Sequence, residues 1–155
     1  MRAFIGLGSN LGDRAKLIAD AVEAVRRLPR TRVLRVSSLR ETDPVGYLDQ
    51  PRFLNGAVEV ETELGPRSLL EALLEIERLL GRDRSTAPPQ GPRRIDLDLL
   101  VYGDAVVDDA DLRIPHPRLH EREFVLEPLA ELDPALIVPG LGTVETLLAK
   151  LHSRS

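Results

Sequence analysis

The sequence predicts an α+β fold: an antiparallel sheet with helices packed on it, its elements in the order β-α-β-β-α-β, followed by a helical extension. Three observations carry this reading. Two stretches space their apolar residues as helices do, Asp13 to about Leu28 and Pro66 to Gly81. Four others run apolar or alternate over strand length, and no repeat or interdomain linker interrupts them. The 155 residues, 43% of them apolar, suit a single domain over residues 1–155.

Arg2–Leu7 reads as a short apolar strand ended by the turn Gly8-Ser9-Asn10-Leu11-Gly12. Asp13 can cap the first helix, whose inner stripe reads as Leu17, Ala21, Ala24, Val25 and Leu28 before Pro29 stops it. Arg32–Glu41 and Phe53–Thr62 alternate as strands, with a Pro- and Gly-bearing loop, Thr42–Arg52, between them. Pro66 opens the second helix and Gly81 closes it. The long loop Arg82–Arg94 leads into the strand that carries Asp96 and Asp98. A short strand near Ala105–Val107, a helix near Leu119–Glu131 and a last helix from Thr143 to about Leu151 complete the chain. The β-α-β-β-α-β order is the ferredoxin-like pattern.

Composition excludes several function classes. A net charge of −4 and a pI of about 5.4 argue against a general nucleic-acid binder. The absence of cysteine removes disulfides, thiolate metal sites and a cysteine nucleophile. The apolar run at Met1–Gly6 is too short for a signal peptide, and no later run approaches a membrane span. The expectation is a soluble, cytoplasmic monomer with no nucleic-acid or membrane partner.

Asp96 and Asp98 carry the clearest chemistry. Side chains two apart on a strand project to the same face, so the two carboxylates stand together while Ile95, Leu97 and Leu99 face the other way. Such a pair can share Mg²⁺, which takes hard oxygen ligands and completes its shell with substrate phosphates. Arg93 and Arg94 just upstream suit phosphate. The alternative is a surface strand with polar residues outward, which the scarcity of Asp in strands disfavours.

Glu77 falls in the middle of the apolar stripe Leu69, Leu70, Leu73, Leu74 and Leu80, with Glu71, Glu75 and Arg78 on the far side of the helix. A carboxylate there needs a partner, so Glu77 reads either as half of a structural ion pair with an arginine or as a site residue. Phe53 and Asn55 share a strand face, where a ring can stack on a flat heterocycle and an amide can read its edge. On residues alone the plainer reading, a core Phe53 and an Asn55 that starts a bend, is preferred. His116, between Pro115 and Pro117, reads as structural or exposed. There is no P-loop, no Rossmann spacing in the Gly6–Gly12 turn, and no His-Glu-x-x-His zinc motif.

Several segments together resemble the 6-hydroxymethyl-7,8-dihydropterin pyrophosphokinase family over nearly the whole chain. They are Gly6–Gly12, Glu41–Gly46, Asp49–Asn55, Glu77 through Gly81-Arg82, Gly91–Asp98 and Ile114–Pro117. The resemblance implies an enzyme of tetrahydrofolate biosynthesis. It would move pyrophosphate from ATP to the pterin hydroxymethyl group, giving AMP and the pterin diphosphate. It implies two Mg²⁺ ions on Asp96 and Asp98 with ATP bound, and Arg82 and Arg93 as loop arginines on the phosphates. Thr42, Pro44, Val45, Gly46, Phe53 and Asn55 would line the pterin pocket, with Phe124 as a second stacking ring. Glu77, Arg84, Leu99, His116 and Arg122 would lie at or near the ATP site. Three features depart from the family pattern: Gln90 stands where a loop tryptophan is common, the loop is one residue longer than in some relatives, and Asp111 and Pro117 replace an arginine and a tyrosine.

No residue is an obvious general base. Metal coordination of the hydroxyl, or Asp96, is the expected route for its proton. Two rival readings remain at this stage: an Asp-x-Asp nucleotidyltransferase, which would release pyrophosphate, and a ferredoxin-like RNA-binding module, which net acidity and the lack of clustered sheet aromatics disfavour.

Overall fold

The strands β1 (Arg2–Ser9), β4 (Phe53–Thr62) and β5 (Asp96–Tyr102) are buried on both faces over most of their length and lie side by side in the sheet. The computed structural model describes residues 1–43, 51–81 and 95–153. With β2 (Thr31–Val36) the strands form a sheet in the order β2-β4-β1-β5, all pairs antiparallel, and β3 (Arg40–Thr42) also pairs with β4. Helices α1 (Arg14–Arg26) and α2 (Pro66–Leu79) cover one face. Beyond β5 come two short ladders, β6 (Val107–Asp108) with β7 (Arg113–Ile114) and β8 (Ile137–Val138) with β9 (Gly142–Thr143). Helices α3 (Glu123–Leu132) and α4 (Val144–Ser153) pack on the other face of the sheet.

Two cores result. Ile5, Leu7, Val58, Val60, Leu97 and Leu99 meet Ile18, Val25, Leu69 and Leu73 under α1 and α2. Phe4, Ala57, Leu100 and Val101 meet Leu126, Leu129 and Leu147 under α3 and α4. The period-2 alternation of the strands assigns residues to one core or the other, except at the register shift between Phe4 and Ile5, where the consecutive Leu100 and Val101 both join the α3/α4 core.

The Phe53–Thr62 strand and the Pro66 helix start stand where the sequence placed them, and Asp13 caps α1 by accepting from the Lys16 N–H. Other expectations are corrected. Arg32–Glu41 is not one strand: it breaks at Ser37–Leu39, where Glu131 of α3 accepts hydrogen bonds from the Ser38 N–H at 2.7 Å and its hydroxyl at 2.6 Å. The α1 stripe includes Ile18 and Val22, while Leu17 is only half-buried. On α2, Ile76 is buried and Leu74 is exposed. The short strand near Ala105 begins at Val107. The Leu119–Glu131 helix divides into a 3₁₀ turn at Leu119–Glu121 and α3.

Candidate active site

The α3/α4 side of the sheet is divided along its length. Phe4, Ala57 and Leu100 lie at its covered apolar end. At the other end, opposed residues of the antiparallel pairs share that same face. Asp96 stands opposite Gly8, Gly8 opposite Asn55, and Asn55 opposite Arg40, which makes one row across four strands. Asp98 lies opposite Gly6 in a neighbouring row, and Phe53 lies opposite Thr42. Asp96 and Asp98 are half-buried between the buried Leu97 and Leu99, so the alternation read from the sequence holds.

The glycines shape this surface. A β-carbon on Gly8 would stand 3.0 Å from Asn55 Oδ1 and 4.0 Å from both Asp96 Cβ and Phe53 Cδ1. Gly8 therefore leaves a hollow bordered by a carboxylate, an amide and a ring. The Asn55 amide is buried and donates to Thr42 Oγ1, so Asn55 is a strand residue with a fixed side chain rather than the start of a bend. Phe53 is half-buried at the rim rather than in the core.

The free edge of β5 is bordered by two groups. Glu77 of α2, 3% exposed, accepts from the Leu97 N–H at 2.7 Å. His116 donates its backbone N–H to the Leu100 carbonyl at 2.9 Å, after a cis Ile114–Pro115 bond. The His116 Nδ1 accepts from the Arg118 N–H at 3.2 Å, which leaves the imidazole proton on Nε2. Burial, with Arg122 and Arg118 nearby, pushes the His116 pKa from its ordinary 6.5 down to about 4, so the ring is neutral at pH 7. The Leu99 side chain is in the core, and only its backbone can reach a ligand at this edge. Arg122 stands just before α3, its guanidinium carbon 5.6 Å from the centre of the Phe124 ring.

Sequence reasoning missed Asn10 and Arg14, which bind Glu41, Pro51 and Arg52. The Asn10 amide donates to the Pro51 carbonyl at 3.0 Å, and Arg14 donates to the Arg52 carbonyl at 2.9 Å and to Glu41 Oε1 at 2.7 Å. These bonds tie the β1–α1 turn and the start of α1 to Glu41 at the end of β3 and to Pro51 and Arg52 just before β4. The available signal was a short amide in a tight turn at a strand end. Pro44, Val45 and Gly46, and the loop residues Arg82, Arg84 and Arg93, lie outside the described residues.

The donor chemistry at Asp96 and Asp98 fits a hard divalent cation: two carboxylates and no thiolate beside a hollow left by glycine. Among the described residues, one set of three clustered metal-type ligands lies elsewhere, Glu123 and Glu127 of α3 with His152 of α4. Two protein carboxylates are what Mg²⁺ commonly uses when phosphates fill the rest of its shell. No helix among the described residues is long and apolar enough to cross a membrane.

Residues 4–134 match the family model described as 7,8-dihydro-6-hydroxymethylpterin-pyrophosphokinase. The chain is 49% identical over 150 residues to the 2-amino-4-hydroxy-6-hydroxymethyldihydropteridine pyrophosphokinase of Methylorubrum extorquens, covering 97% of this chain and 93% of the relative. It is 48% identical over 130 residues to the Bacillus subtilis protein of the same name, covering 84% and 77%. The crystal structure of Plasmodium falciparum HPPK-DHPS wild type superposes on 99% of this chain with a TM-score of 0.78 at 18% identity, a likeness of fold. This chain spans 45% of that longer one. On the extent of the family match and these identities, the chain belongs to the 7,8-dihydro-6-hydroxymethylpterin-pyrophosphokinase family.

Proposed function

We propose that the open end of the sheet transfers pyrophosphate from ATP to the hydroxymethyl group of 6-hydroxymethyl-7,8-dihydropterin, giving AMP and the pterin diphosphate for tetrahydrofolate biosynthesis. Family membership supports the reaction. The observation that carries the assignment of residues is the row Asp96–Gly8–Asn55, which brings carboxylate and amide to either side of one hollow. In this reading Asp96 and Asp98 hold two Mg²⁺ ions. Phe53 and Phe124 stack on the two faces of the pterin, and Asn55 and Thr42 bond its edge, with Pro44, Val45 and Gly46 beside them. Arg82 and Arg93 engage the phosphates. Arg84, the Leu99 backbone, His116 and Arg122 receive the nucleotide.

Each described group suits its part. The Asn55 amide, held by Thr42, offers a rigid donor and acceptor to a planar heterocycle. The neutral His116 presents an Nε2–H as a donor. Bound magnesium would neutralise phosphate charge and align the hydroxyl for in-line attack. Excluding water from the phosphates would matter because hydrolysis of ATP competes. The reading takes the sheet as ferredoxin-like, which the order β2-β4-β1-β5 supports, and the chain as one monomeric cytoplasmic domain.

The test is incubation with ATP, Mg²⁺ and the hydroxymethyl-dihydropterin, with both small products assayed. AMP with the pterin diphosphate is expected. Release of inorganic pyrophosphate would indicate nucleotidyl transfer instead. A folded Asp98→Ala variant with near-normal turnover would refute the metal assignment.

A further inference from the structure

Glu77 lies on the face of α2 that packs toward the sheet, beside the buried Leu69, Leu73 and Ile76. Burying a carboxylate there is costly unless it is hydrogen-bonded. Its Oε2 accepts from the Leu97 N–H at 2.7 Å. Leu97 stands between Asp96 and Asp98 on β5, the strand at the end of the sheet, whose other side pairs with β1. The Leu97 N–H thus points away from β1, to the edge where no strand among the described residues continues the ladder. Glu77 stands in for that missing strand at the residue joining the two aspartates.

We propose that Glu77 is a positioning residue for the aspartate pair. By holding the Leu97 N–H it fixes the backbone on both sides, which keeps the two carboxylates parallel and ready for cations. The hydrogen bond, rather than the charge, does this. The inference rests on the reading of Asp96 and Asp98 as magnesium ligands. It gives Glu77 a role distinct from touching the nucleotide.

Three variants separate the possibilities: Glu77→Gln keeps an acceptor at the same reach without charge, Glu77→Asp keeps the charge but withdraws the acceptor, and Asp98→Ala is the control. Two readouts apply: Mn²⁺ affinity in the presence of α,β-methylene-ATP, by electron paramagnetic resonance, and hydrogen exchange of the Leu97 amide. Groups that orient a metal's ligands typically matter by about 10–100-fold in metal affinity. Glu77→Asp is expected to lose about tenfold or more in Mn²⁺ affinity and to expose Leu97 to faster exchange, while Glu77→Gln stays close to the parent in both. Metal-free binding of the analogue should be unchanged in both variants. The reverse order, Gln impaired and Asp intact, would overturn the inference in favour of a charge effect. Weakened metal-free nucleotide binding would overturn it in favour of direct contact. Parent-like Mn²⁺ binding by Asp98→Ala would instead bring down the magnesium-ligand reading, and this inference with it.

Discussion

Gly8 of β1 lies directly opposite Asn55 of β4, so close that a β-carbon on the glycine would stand 3.0 Å from Asn55 Oδ1. That is tighter than ordinary contact, and Asn55 is itself held by Thr42. Gly8→Ala must therefore displace the amide. The expected result is weaker binding of the dihydropterin by roughly 1–2 kcal/mol, the scale of modest overpacking. Gly6→Ala meets only the flexible end of Leu100, at 3.3 Å, and should leave pterin affinity nearly unchanged. Calorimetric titration of both variants decides it. Equal losses would mean that the hollow beside Asn55 is not where the pterin sits.

Asn55→Ala removes the amide itself. Leaving the pterin edge and the Thr42 hydroxyl without their partner should cost about 1–3 kcal/mol in pterin affinity. Affinity for an ATP analogue should change little, because the amide stands across Gly8 from Asp96, on the far side from the β5 edge. Comparable loss of both ligands would point to a folding defect and refute the specific role.

Much of this site was legible from local pattern. Asp96 and Asp98 alternate with Leu97 and Leu99, and that period survives intact in the fold. Glu77 stood out because a helix places it among leucines. What the sequence hid was set by contacts distant along the chain. The strand break at Ser37–Leu39 depends on Glu131, 93 residues away from Ser38, whose carboxylate binds Ser38 twice and Arg40 at 3.0 Å. No propensity in Arg32–Glu41 encodes that. Asn10 looked like any turn residue, and its bond to Pro51 spans 41 residues. On α1, the inner stripe read from the sequence holds at Ala21 and Val25, which are buried, but it has Leu17 in place of Ile18 because the two are equally apolar and only the sheet beneath chooses between them.

Glu59 gives a prediction about stability separate from turnover. It is 3% exposed and accepts from Arg2 at 2.6 Å and Arg35 at 3.0 Å, while Arg2 also reaches Asp133 beyond α3 at 2.9 Å. Both arginines are about half exposed, so water screens them once Glu59 is gone. Glu59→Ala should destabilise by roughly 1–3 kcal/mol, below the range for a fully buried pair. Denaturant unfolding would measure this, and kcat at 25 °C should stay close to the parent value. A collapse of kcat in a stable variant would place Glu59 in the reaction instead.

His116 predicts how stability depends on pH. In the native protein, burial first and then the nearby Arg122 and Arg118 bring its pKa to about 4, against an ordinary value of 6.5 in the unfolded chain. Between those two values the unfolded state binds a proton that the native state does not. Stability from His116 is therefore fully present above pH 6.5 and is lost as pH falls toward 4. Glu131 and Asp111, held below the usual carboxylate range by Ser38 and by Arg67, add their own losses only at lower pH. Glu127, raised by its hydrogen bond with Glu123, titrates toward the same range in both proteins, so the difference between parent and variant slopes from pH 6.5 to about 5 isolates the histidine. His116→Asn offers an acceptor to the Arg118 N–H but does not titrate, and should flatten the slope of unfolding free energy in that window. The measurement is a series of denaturant melts at half-unit intervals for both proteins. Parallel slopes would show that His116 is not held neutral by the fold, and would remove the Nε2–H as a fixed donor for the nucleotide.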